Sequence, residues 1–420
     1  MCDDGRRDGG DRCSPTCTIV EIDDISVGMD HTCALFKSGS VRCWGQNEFG
    51  ALCNGTTEDL GDQPGELPVP DISIADPVKK LASGAFHSCA ILMTGNVVCW
   101  GKGGAGQLGY GPTEVDANCD TKDEVPPQQI DLGASAEDIA LGGVHSCAIV
   151  TDRTVRCWGF AASGQLGTDD QVSRYFPAVV KGITGAHKLA AGGQHTCVLL
   201  DDASVQCWGG NLYGQLGIGN AINLGGNAGS MPPPAVLGLG GPAVAIATGG
   251  YHSCAIVQGG DVRCWGYNDF GQLGTGTSGP GTQVGDQPGE PLISVDLGAP
   301  AVELALGYYH SCALLSDGGV KCWGRGAAGS LGYAKTDNID LPGEFTVLNT
   351  VELGDSAFKL RSVGGYDPSS PGQTTCALLM DMTLRCWGNN EFGQLGLGHR
   401  LTIGDDETPD DPALAGPVPY

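Results

Sequence analysis

Positive charge is scarce in this 420-residue chain: 22 Lys and Arg stand against 48 Asp and Glu, a formal net charge of −26. Nucleic-acid phosphates are held by clustered Lys and Arg, so this balance argues against nucleic-acid binding. It argues equally against adhesion to an anionic membrane surface. Aromatic residues make up only 6 % and charged residues 17 %. No useful stretch places apolar residues at i, i+3, i+4 and i+7, and 70 Gly and 24 Pro would interrupt one. That excludes a helical architecture. No apolar run is long enough to span a bilayer, so membrane insertion is not expected. No secretory leader is present, and the chain is expected to begin after one. GxSxG, HExxH, Walker and dinucleotide motifs are all missing. The chain is therefore read as a non-enzyme without a catalytic residue or cofactor. Carboxylate pairs found among 48 acids carry no weight.

Tryptophan is missing from every context but one. All seven lie in Cys-Trp-Gly triplets (Trp44, Trp100, Trp158, Trp208, Trp265, Trp323, Trp387), and each triplet cysteine follows another at a constant gap. Cys33 is matched with Cys43, Cys89 with Cys99, Cys147 with Cys157, Cys197 with Cys207, Cys254 with Cys264, Cys312 with Cys322 and Cys376 with Cys386. The first cysteines lie 50 to 64 residues apart. That period belongs to propeller blades and solenoid turns. Around the cysteines the residues alternate in character, which is strand periodicity.

The hairpin register follows from turn chemistry. If Cys33 faces Cys43, Leu35 faces Val41 and Lys37-Ser38-Gly39 forms the loop. A three-residue loop favours a left-handed residue at its end, usually glycine, and Gly39, Gly95, Gly260 and Gly318 hold that place. The 36/40 pair is then hydrogen-bonded. Parity makes 33/43 a non-hydrogen-bonded pair, with Cα atoms about 4.5 Å apart, close enough for a disulfide. Seven cross-strand disulfides are predicted, and nineteen cysteines place the chain in an oxidising compartment.

Six repeats carry His-x-Cys (His31, His87, His145, His195, His252, His310), whereas the seventh has Thr374 and keeps both cysteines. With no CxxC or HxxxH, no metal is assigned, and the histidines are expected to bond neighbouring backbone groups. Cys53 replaces the last glycine of the recurring G-Q-L-G, and Cys119 lies in the equivalent loop of the next repeat, so these two are predicted to staple adjacent blades. Cys2, Cys13 and Cys17 leave one odd thiol. Cys2 is read either as a lipid-anchored first residue or as part of a small tail disulfide set. After each CWG, Asn47, Asn211, Asn268 and Asn390 share a position with Gly103, Gly326 and Ala161, which suggests positive φ there. Two residues further on stands an aromatic (Phe49, Tyr213, Phe270, Phe392) or a small residue (Ala105, Ser163, Ala328), read as blade-to-blade filler. The GDQPGE strings from Gly61 and Gly285, and GDDETP from Gly404, read as acidic turns, with calcium ligation as a secondary reading.

Residues 1–17 read as an Asp- and Gly-rich tether. Residues 18–420 read as an all-β, seven-bladed propeller closed by pairing of its N- and C-terminal strands. Pro412–Tyr420 is expected to supply the missing outer strand, removing exposed edges.

The pattern G-x-x-H-[ST]-C-A-[LI] … V-x-C-W-G-x-N-x-x-G-Q-L-G is clearest in GMDHTCALFKSGSVRCWGQNEFG and GGYHSCAIVQGGDVRCWGYNDFGQLG. It resembles the regulator of chromosome condensation repeat and extends over all seven units. That family forms seven-bladed β-propellers, among them a nuclear exchange factor, a plant ultraviolet-B receptor and a secreted bacterial β-lactamase inhibitor. The acidity, and the confinement of tryptophan to CWG, depart from the first two. The cysteine pairs are similar to those of extracellular bacterial relatives, which implies a secreted or cell-surface protein. The two residues before each histidine vary while their surroundings repeat. In the inhibitor the corresponding loops bind the partner. Phe86, Tyr251, Tyr308, Tyr309 and Tyr366 are therefore the expected binding face, and Tyr is a favoured interface anchor. The expected partner is a protein or cell-surface ligand. A structural or filament subunit, and a glycan- or peptide-active enzyme using the channel mouth, are the alternatives.

Overall fold

The computed structural model describes residues 21–112, 119, 128–340, 350–363 and 373–419. The expected tether, Cys2, Cys13, Cys17 and Tyr366 lie outside the described residues. Seven antiparallel sheets follow one another along the chain, with a single 3₁₀ turn at Ala327–Gly329 among the described residues. Each sheet begins with an inner strand: Ile22–Val27, Val78–Ser83, Ala136–Leu141, Ala186–Ala191, Ala243–Thr248, Ala301–Leu306 and Ala357–Ser362. A middle strand opens at the repeat histidine (His31–Phe36 in blade 1, Thr374–Leu379 in blade 7), and a third ends at CWG (Val41–Gly45, Leu384–Gly388). The seven inner strands together line one central channel.

The hairpin register is the one derived from turn chemistry. Cys33 faces Cys43 and Leu35 faces Val41, and the same pairing recurs in every blade. The amide of Phe36 donates to the Ser40 carbonyl at 2.9 Å, closing a loop in which Gly39 has φ +83°. Where glycine is missing, Arg153, Ala203 and Met382 take the left-handed place at φ 63–68°. Opposed cysteines approach to 4.0–4.1 Å between Cα atoms, and all seven pairs are disulfides. Cys33 is bonded to Cys43, Cys89 to Cys99, Cys147 to Cys157 and Cys197 to Cys207 in blades 1 to 4. Cys254 is bonded to Cys264, Cys312 to Cys322 and Cys376 to Cys386 in blades 5 to 7. Cys53–Cys119 is the eighth, joining the loops of blades 1 and 2.

Blades are joined by a repeated three-part contact. The carbonyl of the G-Q-L-G glutamine accepts two bonds from the next blade. Trp265 Nε1 donates to Gln215 O at 2.9 Å and Ser253 Oγ to the same oxygen at 3.0 Å. Gln107, Gln165, Gln272 and Gln394 are used in the same way. The histidine of the preceding blade then reaches that hydroxyl: His195 Nε2 to Ser253 at 2.8 Å, with five equivalents at 2.8–3.0 Å. At Ser146, Thr196, Ser253 and Ser311 the hydroxyl donates its proton to the carbonyl, so it accepts from the Nε2–H imidazole of His87, His145, His195 or His252. The sequence-based expectation of a backbone partner is thus corrected to a side-chain hydroxyl on the neighbouring blade. The first glycine of G-x-x-H exists for this ring. A Cβ on Gly249 would lie 2.3 Å from His252 Cε1 and 2.5 Å from the Gly307 carbonyl.

Among the described residues strand pairing stays within each blade, which runs as one segment from its inner strand to its outer one. Among the described residues Ile22–Val27 pairs with His31–Phe36, and Val418 N donates to Leu384 O, so the C-terminal segment completes its own blade. At the closing seam Thr374 replaces the histidine and donates to Asn389 O instead. Ion pairs gather there. Of five that join two blades among the described residues, three cross this seam: Arg361–Asp24, Lys359–Asp24 and Arg400–Asp62. The other two are Arg361–Glu303 and Lys80–Asp138. Arg361 bonds both Asp24 and Glu303, so Arg361→Met should cost about 1–3 kcal/mol. Hydrogen exchange should then accelerate in Ile22–Val27 and Ala357–Ser362 before any other inner strand. Uniform acceleration around the ring would contradict this account of closure.

Candidate functional site

The variable residues before each histidine lie at one end of the blades, and the hairpin register determines their neighbours. His31 faces Gly45, so the residue after CWG folds beside the one before the histidine. The amide of Tyr267 donates to Tyr251 O at 2.9 Å and that of Arg325 to Tyr309 O at 3.0 Å. The aromatic position of the preceding blade's loop leans onto this pair, which makes three positions per seam.

Over blades 4 to 6 those positions form one continuous set of rings. Tyr213 packs on Tyr251 and Tyr267 at 5.4 and 4.7 Å between centroids, and Tyr267 on Phe270 and Tyr309 at 6.2 and 5.6 Å. Phe270 meets Tyr309 at 4.9 Å, and the Arg325 guanidinium lies over both rings. All five rings are half-buried, and Leu212 beside them is 69 % exposed. Burial, then the Asp269 carboxylate that accepts its hydrogen bond, raise the Tyr267 phenol above the usual range, so it acts as a donor.

Of the five residues read as the face, Tyr251 and Tyr309 belong to this set. Tyr308 is a correction: at 1 % exposure it is buried against the bare backbone of Gly250 and packs beneath Tyr251 and Tyr309. Phe86 lies in a separate sandwich with Phe49, and the Lys102 ammonium sits over both rings at 4.8 and 4.2 Å. Sequence comparison between repeats missed Tyr267, Arg325 and Leu212. The signal was available, since the residue after CWG varies from repeat to repeat and its strand partner was already derived.

The loop asparagines do not adopt positive φ. Their side chains are fully buried braces. Asn211 Oδ1 accepts from Leu216 N at 2.9 Å and Nδ2 donates to Asn220 O at 2.6 Å, with equivalents at Asn47, Asn268 and Asn390. The acidic turns spend carboxylates on their own backbone. Glu66 accepts from three successive amides and Glu290 from two. Asp405, Asp406 and Glu407 gather within 4.8 Å, but Glu407 caps Gly404 N. The turns are used as clasps: Gly219 N donates to Gly285 O on the neighbouring blade.

Fold and site together define a disulfide-braced, seven-bladed β-propeller with an aromatic surface at one end. The chain belongs to the RCC1-like domain family, whose model matches residues 10–284; regulator of chromosome condensation (RCC1) repeats match 259–314 and 301–330. It is 29 % identical to the ultraviolet-B receptor UVR8 of Arabidopsis thaliana, covering 87 % of this chain and 79 % of the receptor. Yeast RCC1 (Prp20), solved with Kap60, superposes at a TM-score of 0.69 with 20 % identity, covering 94 % of this chain and 85 % of the yeast one. The CRINKLY WD40 ectodomain of the Arabidopsis thaliana receptor kinase ACR4 superposes at 0.51 with 20 % identity, covering 91 % and 98 %. Among the described residues no helix is long and apolar enough to cross a membrane.

Proposed function

We propose that this chain is a non-catalytic, extracytoplasmic binding propeller, secreted or held at a cell surface, whose protein partner docks on the aromatic set of blades 4 to 6. One observation carries this reading: five half-buried rings in mutual contact with an exposed Leu212 at their edge. Rigid aromatic side chains give large contact area at low entropic cost, and they dominate the well-packed centres of interfaces. Eight disulfides support the oxidising location, because such bonds do not persist among cytosolic thiols. A bacterial origin and lipidation of Cys2 belong to this reading as its source and anchor. Membrane insertion and nucleic-acid binding do not.

The test is capture of a partner by the oxidised protein and by a triple variant combining Leu212→Ala, Tyr251→Ala and Tyr309→Ala. Capture should fall at least tenfold, while Phe86→Ala leaves it unchanged and each variant keeps its cooperative melt. Unchanged capture by the triple variant rejects the face. Concentration-dependent assembly of the wild type alone, in sedimentation, would instead favour the structural-subunit reading.

A further inference from the structure

We infer that the central channel holds a binding site for a carboxylate bearing a branched aliphatic group, built around Lys188 and the blade 5–6 wall. Each inner strand carries a register shift after its first residue, as between Ala186 and Lys188 or Ala243 and Ala245. The third residue of the strand lines the channel in blades 1 to 6. Read round the ring, that position runs Asp24, Lys80, Asp138, Lys188, Ala245, Glu303, Lys359, so charge alternates until Ala245 interrupts it.

The acids are all engaged. Asp138 pairs with Lys80 and accepts from Leu189 N at 2.9 Å. Glu303 pairs with Arg361 and accepts from Leu360 N at 2.8 Å, and Asp24 holds Arg361 and Lys359. Lys188 has no hydrogen bond or ion pair among the described residues and is exposed within the channel. The lining is formally neutral, with Asp24, Asp138 and Glu303 against Lys80, Lys188 and Arg361, but Lys80 and Arg361 are held by acids, so Lys188 is the cation of the wall without an acid in contact among the described residues. Low-dielectric walls focus the field of such a charge.

Beside Lys188 the wall turns apolar. Val244 and Val302 line the channel at 56 % and 55 % exposure, and Ala245 leaves a notch where its neighbours carry long side chains. The cavity is about 360 Å³, within the range of small-ligand sites. An anionic head on Lys188 with an aliphatic body against Val244, Ala245 and Val302 satisfies both features. A free branched-chain acid and the C-terminal leucine of a peptide present the same chemistry.

Calorimetric titration of the oxidised protein at low salt separates these sources. The probes are 4-methylpentanoate for the free acid and N-acetyl-leucine for a peptide terminus, with 4-methylpentanamide as the uncharged control. At least one acid should bind, with the amide at least tenfold weaker. Lys188→Gln, which removes the charge, and Ala245→Leu, which fills the notch, should each weaken the better acid about tenfold. Lys79→Gln removes a charge from blade 2 away from the channel lining and should leave binding unchanged. Preference for N-acetyl-leucine assigns the site to peptide termini, and preference for the free acid assigns it to small metabolites. No heat with either acid, or equal binding by the Lys188→Gln protein with its melt intact, overturns the inference.

Discussion

Acidification from pH 7 to pH 4 should unfold this protein, through a transition that takes up protons on its blade histidines. The six blade histidines are buried, and burial lowers their pKa values from 6.5 to about 3 or 4. The unfolded chain binds these protons near pH 6.5 and the folded chain refuses them until far lower pH. The folded-state advantage is thus complete above pH 6.5 and drains away as the pH falls toward 4. Geometry points the same way. Nε2 already gives its proton to the next blade's hydroxyl, and a second proton would go to Nδ1, which in His87, His145, His195 and His252 faces no acceptor.

Each ring contributes a slope of about 1.4 kcal/mol per pH unit, so six approach about 8 kcal/mol per unit. That is comparable with the entire stability of an ordinary domain, about 5–15 kcal/mol, so unfolding should begin before titration is complete. Asp30 works against this trend. Burial, with Glu391 and Asp59 nearby, raises its pKa to about 7, and burial with Asp406 and Asp405 nearby does the same for Glu407, so both gain as pH falls, but they are two protons against six, which leaves a net uptake of about four (six less two). Melting temperatures at pH 7, 5.5 and 4.5, with proton uptake measured on unfolding, check the prediction. His252→Gln should lower the uptake by about one proton. A melting temperature flat from pH 7 to 4 would refute it.

Reduction of the disulfides should convert the folded ring to an expanded chain, and should do so slowly. The cores are thin, and three or four strands per blade offer little area to bury. Each cross-strand bond closes a loop of about ten residues and contributes roughly 2–3 kcal/mol in the chain-entropy model. The eight contributions do not simply add, yet a fraction of their total matches the stability of a domain. The sixteen cysteines are at most 3 % exposed, so reductant reaches them only when a blade opens. Thiol trapping with mass spectrometry should find no free thiol among the sixteen in the native protein. The rate of their appearance under reductant should follow the unfolding rate, with loss of the β-sheet circular dichroism signal in step. A fully reduced chain that keeps its sheet signal and melting temperature would sink this view.

Much of the architecture was legible because the repeat compares itself with itself. Seven copies of one hairpin expose the residues that do not change, and a turn glycine with a constant ten-residue cysteine spacing determines strand register by parity alone. The histidines resisted because their partners are 51 to 65 residues away on another blade. No local pattern says whether such a ring meets a carbonyl or a hydroxyl. Tyr308 and Tyr309 are adjacent in sequence and indistinguishable by composition, yet one is buried under its neighbours and the other faces outward.

By itself, then, the sequence was enough for the strands, the hairpin pairing, the covalent bonds and the number of blades. Each of these depends on residues within one unit, or on the repetition of that unit. Only the folded ring decided how blade 7 meets blade 1, which aromatics converge, and that Lys188 meets no partner among the described residues. Those outcomes depend on which side chains of successive blades face each other once the chain has curved back on itself, and that curvature is a property of all seven contacts together.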